Sequence, residues 1–447
     1  MPANQPSRLL ISARYVIPVR PRGEVLENYS VVVEGERIAS LLPTAQAKLD
    51  YPGVEEVSLQ DHVLLPGLIN MHTHSPMTLM RGLADDLQLH EWLNEHIWPA
   101  ESRFVTEEFV ADGTRLAIAE MLRAGTTCFN DNYFFPNVMA SVAQDCNIRA
   151  RIGLPVIEMP NAWAKNAEES IEKGIDLLLR GDEQALVNYT WAPHAPYSVS
   201  DPTLVRLAQL SHEVNMPVHM HLLETQWEIE HSMQEYGISP LQRLANLQLL
   251  NSRLLAVHMT QLSTEEIQQL GGSGVHVIHC PQSNLKLANG ICPVVELRDA
   301  GVNISIGTDG AASNNNLDLL AEAETASFLA KGTCGDATVV DAFSAIEMLT
   351  INGAKALQME SSLGSITAGK YADLAALDLK APETQPLYNV VSQLIYSASS
   401  RQFTDVWVGG ERVLKGGELT TIDLDDVMQS ADSWRLRLSA DSRTLDI

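Results

Sequence analysis

Apolar and polar positions change their rhythm twice along the chain. Between residues 8 and 65 the apolar stretches are short or alternating: "RLLISARYVIPV", "SVVVEGERIASLLP" and "HVLLP". "RPRGE", "EGE" and "YPG" separate them and have the composition of turns. Glu34-Gly35-Glu36 marks the turn of a hairpin. After Pro66 apolar strands alternate with helical segments of about 12–20 residues. Eight such strands are read: "GLINMHTH", "GTTCFNDN", "RARIGLPVIE", "LVNYTWAPHAP", "MPVHMHLLE", "LLAVHMTQL", "VHVIHCPQS" and "NISIGTDGA". The run "LLPGLIN" is taken as the first buried barrel strand. Among the helices, "TEEFVADGTRLAIAEMLRAG" begins at Thr106 and stops at Gly125, and Ser263 with Glu266 has the spacing of a capping box.

From about residue 365 the first rhythm returns. "YADLAALDL", "VSQLIYSA" and "TDVWVGGERVLKGGEL" read as strands, and "VWVGGERVL" echoes "VVVEGERIA" near the start. The expected fold is α/β: a (β/α)8 barrel over residues 66–364, with a small β-sandwich domain built from both chain ends, 1–65 and 365–447. The helical pattern "DVMQSADSWRLRLSADSRTL" is expected at the periphery.

Length and composition agree with a large core, since 45% of the 447 residues are hydrophobic. The 56 acidic and 30 basic residues leave a net charge of −26, which repels polyphosphate. A nucleic-acid polymer or an anionic membrane is therefore not expected as a partner. Five cysteines without a CxxC exclude a disulfide framework and a cysteine zinc finger. With no basic segment leading into a long apolar run, the expected location is cytoplasmic.

In such a barrel, functional side chains project from the C-terminal ends of the strands. Those ends carry His72 and His74, His194, His219 with His221 and Glu224, His258, and Asp309. Two histidines at i and i+2 share one face of a strand. His72, His74, His221 and Asp309 make three imidazoles and one carboxylate, a set suited to a divalent zinc or iron ion with a position left for water. His62, His90, His96, His212, His231 and His276 are read as ordinary core or surface histidines.

"PGLINMHTH", "HMHLLE", "VHMTQL" and "SIGTDGAASNNNLD" resemble the amidohydrolase superfamily, and within it the 5′-methylthioadenosine/S-adenosylhomocysteine deaminases. The resemblance covers nearly the whole chain. It implies one metal ion, zinc or iron, on His72, His74, His221 and Asp309. It implies Glu224 as the proton shuttle, Asp309 as a second proton acceptor, and His258 beside the reacting atoms. The fourth strand lacks the lysine that bridges two metals in other members, which points to a single ion. In "LHEWLNEHIWPAESRF", a loop in the related deaminases, Glu101 is implied to accept from the ribose hydroxyls. His194 is implied to touch the substrate. Trp98 and Trp92 pack either against it or in the core.

The implied reaction is hydrolytic deamination of an adenine nucleoside at C6. Methylthioadenosine is expected over S-adenosylhomocysteine, because "GLPVIEMPNAWAKNAEES" offers no arginine for an amino-acid tail and Arg149 and Arg151 begin the strand at the wrong end of the barrel. The alternatives are an aminohydrolase or chlorohydrolase of a triazine, guanine or other free heterocycle, and a non-catalytic barrel, which would carry damaged ligands. The family also implies a homo-oligomer, dimer or tetramer. Ser283 and Asn284 are read as turn chemistry ahead of a place in the pocket lining, and the asparagines of Asn314–Asn316 are left without a role.

Overall fold

The strands separate into two sheets by burial as well as by pairing. In the computed structural model, residues 7–180 and 186–440 are described. The strands are β1 (Arg8–Val16), β2 (Leu26–Glu34), β3 (Arg37–Pro43), β4 (Glu55–Pro66), β5 (Leu68–Thr73), β6 (Thr126–Asn132), β7 (Arg149–Val156) and β8 (Val187–Pro193). They continue with β9 (Val218–Leu222), β10 (Leu254–His258), β11 (His276–His279), β12 (Asn303–Ile306), β13 (Leu374–Asp378), β14 (Phe403–Val408), β15 (Glu411–Lys415) and β16 (Glu418–Leu419).

β5 to β12 pair in chain order, all parallel, as an eight-stranded sheet. β5, β6, β9, β10 and β11 are buried at every position, as strands covered by helices outside and packed within must be. The seam between β12 and β5 is closed by side-chain and loop contacts. Asn70 donates to Thr308 Oγ1 (2.8 Å) and accepts from the Thr308 amide (3.1 Å), and the Asp309 amide donates to the His72 carbonyl at 2.9 Å. Gly307 permits the approach: a Cβ there would lie 2.6 Å from the His72 nitrogen.

The chain ends form the second sheet, in the order β16-β15-β14-β13-β4-β1-β2-β3. Val31, Val33 and Ile38 share one buried cluster with Leu374 and Trp407 from its other half, so the sheet closes over its own core. The two echoing hairpins meet there. A Cβ on Gly410 would stand 2.5 Å from the Gly35 carbonyl oxygen. Arg149, at the start of β7, bonds both oxygens of buried Asp373 (2.8 and 3.1 Å), joining the barrel's far end to this sheet.

Three expectations are corrected. "LLPGLIN" is split: β4 runs through Pro66 in the end sheet, and the barrel strand starts at Leu68. Gly67 is the joint, since a Cβ there would fall 2.0 Å from Thr127 Oγ1. "VSQLIYSA" lies in a helix, Val390–Tyr396, capped by the Asn389 side chain, with Val390, Val391, Leu394 and Ile395 on its buried face. That spacing has the helical period. "LHEWLNEHIWPAESRF" is helical along its length, with a π turn over Trp92–Ile97 ahead of Pro99. A proline ring clashes with the carbonyl four residues back in a regular α-helix, and the wider turn relieves it.

Other local readings hold. Thr106 accepts from the Phe109 amide, Gly125 takes a φ of +82°, and Ser263 with Glu266 forms the capping box. The last described helix, Leu424–Ser439, seats Trp434 edge-on to Phe109 and hydrogen-bonded to Asp112 (2.9 Å). Residues 441–445 of the C-terminal pattern lie outside the described residues.

Candidate metal and nucleoside site

Strand geometry gathers His72 from β5 and His74 one residue beyond it, His221 from β9 and Asp309 just beyond β12. One ligand atom from each lies within 4.8 Å of all the others. Asp309 Oδ1 sits 3.2 Å from His72 Nε2 and 3.3 Å from His74 Nε2. His74 Nδ1 donates to the Asn132 carbonyl (2.6 Å), and His221 Nδ1 to the His194 carbonyl (2.8 Å). Those bonds leave each Nε2 lone pair facing the cluster, the tautomer a metal ligand needs. His72 Nδ1 meets His219 Nε2 at 2.9 Å, while His72 Nε2 is buried with no hydrogen-bond partner. An orphaned imidazole nitrogen aimed at two more imidazoles and a carboxylate fits a divalent cation.

The charge states agree. Burial holds His72 down to about 4 and His221 well below its ordinary value, so both are neutral donors. Burial works against a charge on His74 as well, but contact with Asp309 outweighs it and raises His74 to about 9. Burial alone would raise Asp309, yet the two imidazoles hold it well below the carboxylate range. A cation held by these residues would replace the proton that His74 and Asp309 otherwise share. Asp309 has a φ of +62° and His258 one of +76°, both in the left-handed region. Ser283 and Ser313 donate to Asp309 Oδ2 (2.6 and 3.0 Å) and the Gly310 amide to Oδ1 (2.8 Å), fixing the carboxylate.

The cluster forms the floor of a cavity of about 600 Å³. His74, His221, Glu224, His258 and Asp309 line its base, and His194, Trp98, Trp92 and Glu101 line its walls. Every residue expected at the site is thereby brought together, His72 lying buried beneath. His62, His96, His212, His231 and His276 stay outside the ligand cluster; the side chain of His90 lies outside the described residues. Glu224 Oε1 accepts from Asn289 (2.8 Å) and lies 3.7 Å from His258 Nε2. Burial raises the Glu224 carboxyl above its ordinary range, against the pull of His258. That suits a group that must carry a proton at neutral pH. His194 pairs with Ser198 (3.0 Å) and burial lowers it to about 4. Glu101 accepts from the Tyr133 hydroxyl at 2.6 Å, and desolvation pushes it up to about 7. No arginine or lysine is among the described residues that line the cavity.

Residues 63–413 match the amidohydrolase family model. The chain belongs to the amidohydrolase family. This amidohydrolase is 47% identical over 430 residues to a 5-methylthioadenosine/S-adenosylhomocysteine deaminase of Teredinibacter turnerae, across 96% of this chain and 97% of the relative. It is 48% identical to an adenosine deaminase from Xanthomonas campestris solved with bound zinc, with a TM-score of 0.96 over 98% of this chain and 99% of the other. An atrazine chlorohydrolase of Arthrobacter aurescens, solved with zinc, is 20% identical, with a TM-score of 0.88 over 95% and 99% of the two chains; that likeness is one of fold. Among the described residues of this amidohydrolase no helix is long and apolar enough to cross a membrane.

Several supporting residues escaped the sequence reading. Asn284 accepts from His258 Nδ1 (2.8 Å), and Ser283 holds Asp309, so "HCPQSNLKL" is more than turn chemistry. Asn314 donates to the Thr308 carbonyl at 2.8 Å and to buried Glu322 at 2.6 Å, bracing the loop behind Asp309. Glu228 accepts from the Glu224 amide (3.0 Å) and the Leu223 amide, where Leu223 has a φ of +51°. Burial raises the Glu228 carboxyl to about 8. Its place four residues beyond Glu224, facing back from the first turn of a helix, was the available signal.

Proposed function

We propose that this amidohydrolase deaminates an adenine nucleoside by hydrolysis at C6, releasing ammonia and the inosine analogue, with 5′-methylthioadenosine as the preferred substrate. One observation carries the reading: the same cavity has the donor cluster and Glu224 at its base and the carboxylate of Glu101 on its wall. The names of the Teredinibacter and Xanthomonas proteins point the same way.

His72, His74, His221 and Asp309 would hold the ion. We take it as zinc, with iron the alternative for the same nitrogen and oxygen donors. Such an ion, when bound, is a Lewis acid that brings the ionisation of water near neutral pH. The chain's residues do the rest. Asp309 accepts the proton of the attacking water. Glu224 protonates the ring nitrogen beside C6, which makes C6 electrophilic; Asp309 then passes its proton to the departing ammonia, and Glu224 takes up the remaining hydroxyl proton as the C6 carbonyl forms. His258, held by Asn284, hydrogen-bonds the developing tetrahedral centre. Glu101 accepts from the ribose hydroxyls, while Trp98 and His194 border the nucleoside. A free heterocycle such as a triazine would leave Glu101 with no hydroxyls to accept from. The lack of a lining cation favours a short neutral 5′ group over an amino-acid tail.

The reading also takes the protein as a cytoplasmic homo-oligomer, dimer or tetramer, with no nucleic-acid polymer or membrane as partner. It divides the chain at 1–65, 66–364 and 365–447. An ammonia-release screen over nucleosides with varied 5′ groups, free bases and triazines tests the function, with metal content measured on the same sample. Highest kcat/KM on methylthioadenosine is expected. Turnover of free bases or triazines with none of nucleosides refutes the reading, and a higher value for S-adenosylhomocysteine refutes the tail preference.

A further inference from the structure

The segment that carries Trp92, Trp98 and Glu101 leaves the metal floor through an irregular stretch, with Gly82 at φ +72° and Asp86 at φ +63°. Between them, Asp85 reaches across the β12–β5 seam to the loops that follow β11 and β12. Its Oδ1 accepts from Lys286 Nζ at 2.6 Å, and its Oδ2 from Asn315 Nδ2 at 3.0 Å. Lys286 also donates to Asn315 Oδ1, which closes a three-residue ring. Arg81, four residues earlier, donates to the Asn315 carbonyl (2.7 Å) and pairs with Glu120. Asn315 holds a φ of +69°, a conformation asparagine tolerates better than most residues.

Those two loops hold Asp309 and His258, the groups proposed to react. Lys286 ends the helix Pro281–Lys286, whose Ser283 and Asn284 hold Asp309 and His258. Asn315 directly follows Asn314, which braces the loop behind Asp309. Neighbouring asparagines thus face opposite ways, one toward the metal loop and one toward the strap. We infer that Asp85, Lys286 and Asn315 are positioning residues that fix the Trp92–Glu101 strap at a set height over the metal floor, and so set nucleoside affinity. The inference rests on the proposed contact between Glu101 and ribose.

Lys286→Met and Asn315→Ala test it in the full-length, metal-loaded enzyme. Both are expected to speed hydrogen exchange across residues 89–104. Both should raise KM for 5′-methylthioadenosine about fivefold, with kcat within about twofold and metal content unchanged. Lys286→Arg should restore most of the loss. In a Glu101→Gln background the same substitutions should shift KM by less than about twofold, because their effect runs through Glu101. Unchanged exchange in the strap overturns the clasp, whatever the substrate. Faster exchange with unchanged KM overturns its role in affinity, and so does a loss of metal or of kcat with KM unaltered. A wild-type enzyme that turns over no adenine nucleoside defeats the functional reading instead, and the exchange measurement then decides the clasp alone.

Discussion

The floor and the wall of the cavity are built by different means. The floor is made by strand ends, and the positions of His72, His74 and His221 follow from strand register and barrel closure. A one-residue slip in β5 would turn both of its histidines out of the barrel. The wall is a helical strap inserted after β5, fastened by a few side-chain bonds and three buried residues, Trp92, Ile97 and Ala100. On the proposed reading, chemistry sits on the part of the molecule with least freedom, and substrate choice on a part that can vary without disturbing the barrel.

That contrast predicts a hierarchy of effects. His72→Ala should abolish metal binding and lower kcat/KM by about 10⁴-fold or more, read by metal analysis and ammonia release. Retained stoichiometric metal would break the floor assignment. Glu224→Gln should keep the metal and lower kcat by about 10²- to 10⁴-fold, so the two substitutions separate ligand from proton carrier. Near-normal turnover would remove Glu224 from the mechanism.

Glu101→Gln, on the wall, should act mainly through KM, raising it about tenfold for methylthioadenosine with metal and kcat nearly unchanged. Since Glu101 ionises at about 7 and the carboxylate is the better acceptor, KM should fall as pH rises from 6 to 8. The substitution should flatten that profile; a profile that keeps its shape would place the titration elsewhere.

The smallest effect belongs beneath the floor. Glu228 stays protonated in the folded chain up to about 8 but ionises near 4.5 when exposed, so folding takes up a proton between those values. Its contribution makes stability fall as pH rises through that window. Glu228→Gln should remove this slope while keeping an acceptor for the two amides. Glu228→Ala should cost about 2 kcal/mol in denaturant unfolding at pH 6. An unaltered slope in the glutamine variant would show that Glu228 is not the titrating group.

The same division decides what was legible in the sequence. The floor was legible because period-2 spacing and strand ends are local patterns: His72-x-His74, His221 with Glu224 three residues on, and a lone Asp309 after a buried strand. The wall was half legible. Glu101 was found by resemblance, but the helical course of its segment was hidden by Pro99, which argues for a loop unless a π turn accommodates it. The parts played by Asn284, Asn289 and Glu228 were not legible, because the two asparagines act through side-chain bonds to residues distant in sequence and Glu228 through two backbone amides. "VSQLIYSA" misled because its serine and alanine borders look like strand ends, while Asn389, outside the quoted run, caps a helix. The break at Gly67 was invisible because an apolar run does not tell which of two sheets claims it.

That break has a bearing on the order in which the chain can assemble. β4 leads through one residue into the strand bearing His72 and His74, and β4 is itself hydrogen-bonded to β13, from Pro66–Leu374 to His62–Asp378. A growing polypeptide therefore emerges with His72 and His74, the first two proposed ligands, attached to a sheet half of whose strands are still unmade. Asp373, which anchors Arg149 of the barrel, arrives more than 200 positions after its partner. The centre that opens at residue 72 receives its complete frame only when synthesis has passed β16, near the far end of the chain.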